Sequence, residues 1–336
     1  MNKKSKLSFI SEKKSRQDGW EYSGWAELAT LHSGYLALKE PEQYQTSLHV
    51  IAIASCIEAF CKSCLKILID EDGTPYLERA KGFKDIAFDF ELTRALSNKE
   101  ITFGDLVSHS ISISGIDQII KNFDTLLNGD KNYKGLKDCI SKTREFIEPP
   151  EESVMAGVQT KPEFGELLVA KPDKLLSDIN EIFSARHIAA HEANFKLVQK
   201  EQLLEWFESA MLFMSTTFEI IEQRIRPGIS RSAFGSSVQA LINAESIGSQ
   251  IPTLMQELIT TWEANWDIDQ NTSKAITLKA EEATSAYSNY IQKELEIQNL
   301  RVGFITGNGY RHLEAKTRKL LYEARISYIN QIKSTT

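Results

Sequence analysis

The apolar positions of this chain recur at helical spacing over long stretches, and few segments alternate as strands do. Residues 20–40 mix small and apolar positions and stop before Pro41. Residues 42–70 contain the near-continuous run "LHVIAIASCIEAFCKSCLKILI", halted by "DEDGTP". From about 76 the pattern becomes mixed: "ITFGDLVSHSISISGIDQIIKNFDTLLNG" predicts short helices joined by Ser/Gly turns, and residues 148–165 read as a Pro/Gly/acid-rich loop. A strong helical period begins after Pro172 in "DKLLSDINEIFSARHIAAHE", breaks at "EANF", and returns in a long helix that ends at Pro227-Gly228. "PGISRSAFGSSVQ" marks a domain boundary, and helices are predicted beyond it over about 236–266, 273–300 and 310–334.

These elements predict an all-α protein. A helical bundle occupies residues 20–227, with an insertion at about 76–165; a smaller helical domain follows over 236–336, and residues 1–19 form a basic, flexible lead-in. No internal repeat and no sheet is expected.

Charge and cysteine usage narrow the picture. A net charge of −7 is unfavourable for a protein that coats nucleic acid, so any RNA contact would be local. The basic residues gather at the two ends, in residues 1–16 and 301–336. No apolar run of signal-peptide length follows the basic start, and the most apolar helix carries Glu58, Lys62 and Lys66; a core helix in a cytosolic protein, with no membrane contact, is expected. Cys56, Cys61 and Cys64 share that helix and Cys139 stands alone. "CKSC" lacks a second pair and a preceding strand, so these thiols read as small core hydrophobes.

The chemistry concentrates in "FSARHIAAHEANF", residues 183–195. With about 100° of rotation per residue and Ile179 as zero, Leu175, Ile182, Phe183 and Ala190 fall on the inner face, Asp178 and Ala185 on the outer. Arg186 lies near the centre of the apolar face, while His187 and His191 stack one turn apart on its shoulder. A guanidinium placed there must answer a buried carboxylate or face something that arrives later, because an unpaired buried charge is costly. Glu58 is the candidate internal partner; its alternative is a local pair with Lys62, four residues on.

The order Arg186, His187, three variable residues, His191, between an apolar helix and a long terminal helix, resembles the signature of the HEPN superfamily. These are the helical "higher eukaryotes and prokaryotes nucleotide-binding" domains. The early helix with its embedded acid, "SCIEAFCKSCLKILID", is similar to the opening helix of that family, and the resemblance covers roughly residues 45–226. It implies a metal-independent endoribonuclease without cofactors, acting as a homodimer in which two signatures face each other. His191 would then be the general acid or base and Arg186 the clamp on the phosphoryl oxygens. His187 would position the phosphate, and Glu58 would orient Arg186. A toxin or antiviral-defence setting, a tRNA or mRNA substrate, and an antitoxin or other defence-system partner follow by the same analogy.

His187 and His191 have the spacing that places two imidazoles on one zinc, but Ile188 stands where a metalloprotease helix carries glutamate. The remaining histidines, His32, His49, His109 and His312, form no cluster in the sequence. "GFITGNG" lacks the Lys-Ser/Thr of a phosphate loop. Tyr287, Tyr290, Tyr310, Tyr322 and Tyr328 among basic residues could grip single-stranded RNA or simply coat a helical hairpin. The rival to a nuclease is a non-catalytic helical module that binds RNA, a nucleotide or a protein.

Overall fold

The computed structural model describes the chain except for residues 1–4, 16–21, 72–73, 84–85, 87, 130–133, 158–160, 193, 196–197, 267, 302–305 and 336. It is built from helices, as the sequence predicts: α1 (Lys6–Ser15), α2 (Trp25–Leu36), α3 (Gln43–Asp70), α4 (Tyr76–Arg79), α5 (Phe90–Ser97), α6 (Phe103–Ser110), α7 (Ile116–Leu127) and α8 (Leu136–Lys142). Strand β1 (Arg144–Ile147), α9 (Glu151–Met155) and strand β2 (Glu163–Leu167) follow, then α10 (Pro172–His191), α11 (Lys200–Ile225), α12 (Ala233–Gly248), α13 (Gln250–Asn265), α14 (Gln270–Arg301) and α15 (Gly307–Thr335). Two compact units result. One comprises residues 1–146 and 164–227; the other, 147–163 and 228–336.

Helix α3 is the axis of the first unit. By length and composition alone it could cross a membrane. In the fold it packs against α2, α6, α10 and α11, and Ile53, Ile57, Phe60, Leu65 and Leu68 are sealed from solvent. Burying each such side chain contributes about 1.5–3 kcal/mol. Its start is held by the Gln45 side chain, which accepts the Glu42 N–H at 2.8 Å. At its end Asp70 caps the next core helix: it accepts from the Thr102 hydroxyl at 2.6 Å and from the Gly104 N–H at 2.8 Å. Gly104 permits that approach, since a Cβ there would meet the Asp70 carboxylate and the Lys66 carbonyl at 2.6 Å.

Helix α10 starts with Pro172, whose missing N–H is an orphan at that position anyway. It lays Leu175, Ile179, Ile182 and Phe183 into the core beside α3 and α11. Asp178 is buried, contrary to its predicted outward position. The reason is polar pairing: it takes the Lys174 ammonium at 2.8 Å and the Ser209 hydroxyl of α11 at 2.7 Å.

Three further expectations change. Residues 6–15 of the lead-in are helix α1, whose Ile10 packs with Leu92, Ala95, Ile101 and Leu106; residues 1–4 and 16–19 lie outside the described residues. Residues 144–147 and 163–167 pair as a two-stranded sheet, too short to show alternation in the sequence. The segment 147–163 within the predicted insertion belongs with the C-terminal unit, where α9 packs on α12.

In that second unit α15 meets α12, α13 and α14, around a small core of Ile251, Leu258 and Ile329. The predicted helix 236–266 is two helices, divided at Ser249. Pro252 accounts for the division, because it can occupy the first turn of α13 but not the interior of a continuous helix.

Candidate functional site

The last turns of α10 carry Arg186, His187 and His191. Arg186 is half-buried, as its position on the apolar side demands, while both histidines are exposed. The two imidazoles lie 4.7 Å apart between ring centroids, inclined at 47°. Ala189, rather than the predicted Ala190, is buried, so the covered arc of the helix has rotated by about one residue at its end. The helix stops at His191, where the Glu192 N–H closes the final turn on the Ile188 carbonyl at 2.9 Å. The Ser47 hydroxyl then donates to the Phe195 carbonyl at 2.9 Å, which ties the following loop to the start of α3.

Arg186 makes neither a hydrogen bond nor an ion pair with any described residue. Glu58 does not answer it. Its carboxylate is taken by Lys62 of the same helix at 2.8 Å, a pair that helical geometry supplies without bringing two helices together. The guanidinium thus shares the last two turns of α10 with two open imidazoles, its donors unused by the described residues. Such a grouping can hold a phosphoryl oxygen and exchange protons next to it.

A metal reading requires a third ligand. Among the described residues no group of three or more His, Cys, Asp or Glu side chains gathers to provide one. The cysteines are buried thiols without disulfides. Burial, and then the charge of Glu27, push Cys56 up to about 11, and burial raises Cys61 and Cys64 further, so these thiols stay protonated. His49 bonds to the Gln45 carbonyl and, like His32, packs against Phe207.

One group of residues was not anticipated. Lys13 and Lys14 of α1, Lys62 and Lys66 of α3, and Asp105 and His109 of α6 line a single cleft. Only the basic character of residues 1–16 hinted at it, because nothing local in a sequence joins position 13 to positions 62 and 109.

An all-α unit in which an apolar helix ends in Arg-His-x3-His, followed by a loop and a long terminal helix, is the architecture of a HEPN domain. The family model RiboL-PSP-HEPN matches residues 27–223, more than half of the chain, and the protein belongs to that family. Comparisons with curated proteins and with solved structures give no match.

Proposed function

We propose that the protein is a metal-independent endoribonuclease whose centre is Arg186 with His191. The observation that carries this reading is the guanidinium itself. It is half-buried, without a hydrogen bond or ion pair among the described residues, in the same last turns of α10 as two exposed imidazoles.

In the reaction a base removes the proton of a ribose 2′-hydroxyl, whose oxygen attacks the adjacent phosphorus. The bond to the 5′-oxygen breaks, an acid returns a proton to that oxygen, and a 2′,3′-cyclic phosphate remains. Histidine serves either proton transfer near neutral pH. Arg186 stabilises the charge that grows on the equatorial phosphoryl oxygens, and His187 orients the phosphate. A second copy of the chain supplies the second His191, so that one acts as base and the other as acid. Near the tethered loop, Tyr44 and Leu48 at the start of α3 leave 48% of their surface exposed, apolar area that a twofold mate would cover. A cytosolic toxin or defence effector acting on tRNA or mRNA, held by an inhibitory partner, fits the family setting.

The test uses purified protein with EDTA present. RNA should be cut to 2′,3′-cyclic-phosphate ends, and His191→Ala should abolish cutting while dimerisation persists. Cutting by the mutant at wild-type rate removes His191 from the mechanism. The competing reading, a non-catalytic RNA- or protein-binding module, draws support from the acidic net charge of −7. It predicts RNA binding that depends on Arg186 with no cyclic-phosphate product. In cells, overexpression should arrest growth, and Arg186→Ala should relieve the arrest.

A further inference from the structure

The cleft between α1, α3 and α6 collects charge that folding does not require. Four ammonium groups, Lys13, Lys14, Lys62 and Lys66, surround it together with His109. Two carboxylates answer them. Glu58 takes Lys62 at 2.8 Å, while Asp105 takes Lys66 at 2.5 Å and Lys14 at 3.2 Å. A third carboxylate, Asp70, stands near Lys66 and Asp105, so four ammonium groups face three carboxylates, a local positive excess within a chain whose net charge is −7.

Lys13 is the residue left over. It is half-buried and has no hydrogen bond or ion pair among the described residues. Burial, and then the neighbouring Lys62, push its ammonium below the usual lysine range; Lys66 adds to this, while Glu58 and Asp105 oppose it. His109 is likewise lowered, by burial and by the charges of Lys13, Lys6 and Lys62. The unliganded cleft therefore holds mutual repulsion that an anion would relieve. Three helices distant in sequence converge to create that repulsion, and apolar or neutral side chains would pack there at lower cost.

We propose that this cleft binds a phosphate group, of the phosphomonoester class, with Lys13 and Lys62 as its principal contacts. Negative charge answers the local positive excess, and the ammonium groups supply point-charge donors to phosphate oxygens. The group can arrive as free phosphate or on a nucleotide. The proposal does not rest on the nuclease reading, because it uses none of the residues at the end of α10.

The experiment is calorimetric titration and thermal denaturation of the full chain at low salt. The probes are inorganic phosphate, adenosine 5′-monophosphate and adenosine, with chloride at matched ionic strength as control. Saturable binding by phosphate or the monophosphate, with a raised Tm, supports the site. Equal affinity for the two indicates recognition of the phosphate alone; much tighter binding of the monophosphate assigns the group to a nucleotide. Lys13→Gln should weaken binding about tenfold or more, the scale of one lost charge-assisted hydrogen bond. It should also raise the Tm of the unliganded protein, which a merely structural lysine would lower. Lys62→Gln should weaken binding similarly, and Arg186→Ala should leave it intact. The site is refuted if neither phosphate probe saturates, if adenosine binds as well as its monophosphate, if Lys13→Gln binds like wild type, or if Arg186→Ala is the variant that loses the ligand.

Discussion

The cations of α15 and the arginine of α10 live in opposite circumstances. Arg318 is held by Glu314 at 2.8 Å and Glu245 at 3.2 Å, and Lys333 by Glu257 at 2.7 Å. Arg325 sits over the rings of Tyr287 and Tyr328, at 5.7 and 5.5 Å, and Arg311 over Phe234 at 5.2 Å. The Tyr287 hydroxyl donates to the Leu321 carbonyl at 2.6 Å. These basic residues and Tyr287 are thus engaged within the second unit, while Tyr290 and Tyr328 stay about half exposed. Arg186 has no such commitments among the described residues. In this molecule a cation's partners, and not its residue type, set Arg186 apart from the cations of α15.

The comparison can be broken most sharply by a paired substitution. Arg186→Ala should lower RNA cleavage by about 100-fold or more, the usual scale for loss of a group acting in the transition state, while the Tm barely moves. A large fall in Tm would show that Arg186 is structural after all. Next in size is the core of the first unit. Phe60→Ala should cost about 3–5 kcal/mol in denaturant titration, because Phe60 is fully enclosed at the centre of α3; a cost under 1 kcal/mol would contradict that enclosure. Arg318→Ala reverses the Arg186 pattern, with about 1 kcal/mol lost from the second unit and unchanged cleavage.

The smallest expected effect concerns acid. Burial pushes the Asp105 carboxyl up, but hydrogen bonds from Lys66 and the Thr102 N–H, with the charges of Lys66 and Lys14, hold it below the ordinary carboxylate range. A carboxyl depressed by folding contributes stability that is fully present above its unfolded value and is lost as pH falls through the folded one. Asp105→Asn should therefore flatten the fall of stability on the acid side below about pH 4. A Tm-against-pH curve as steep in the mutant as in wild type would remove this contribution.

What the sequence discloses depends on how local each cause is. The long helices α3, α10 and α11 are legible because their apolar periods extend over many turns, and the Arg186–His191 signature because it fits within two turns of one helix. Asp178 misleads, since a periodic reading assigns any acid to solvent and cannot foresee the Ser209 hydroxyl waiting on α11. Glu58 was ambiguous between a distant arginine and a near lysine, and the near partner won because α3 provides it without further folding. Helix α1 hides behind its charges, with Ile10 its one buried side chain. The lysine cleft is invisible for the same reason that it is informative: its members come from three helices.

The excursion of the chain between β1 and β2 has a practical consequence for anyone dividing the protein. Helix α9 buries Val154 and leans on α12, which is synthesised some eighty residues later. A fragment cut at Pro227 would retain α9 with its cover gone, leaving a bare oily patch on the HEPN domain. Removing residues 147–163 as well, and bridging the gap with a short turn, gives the cleaner excision.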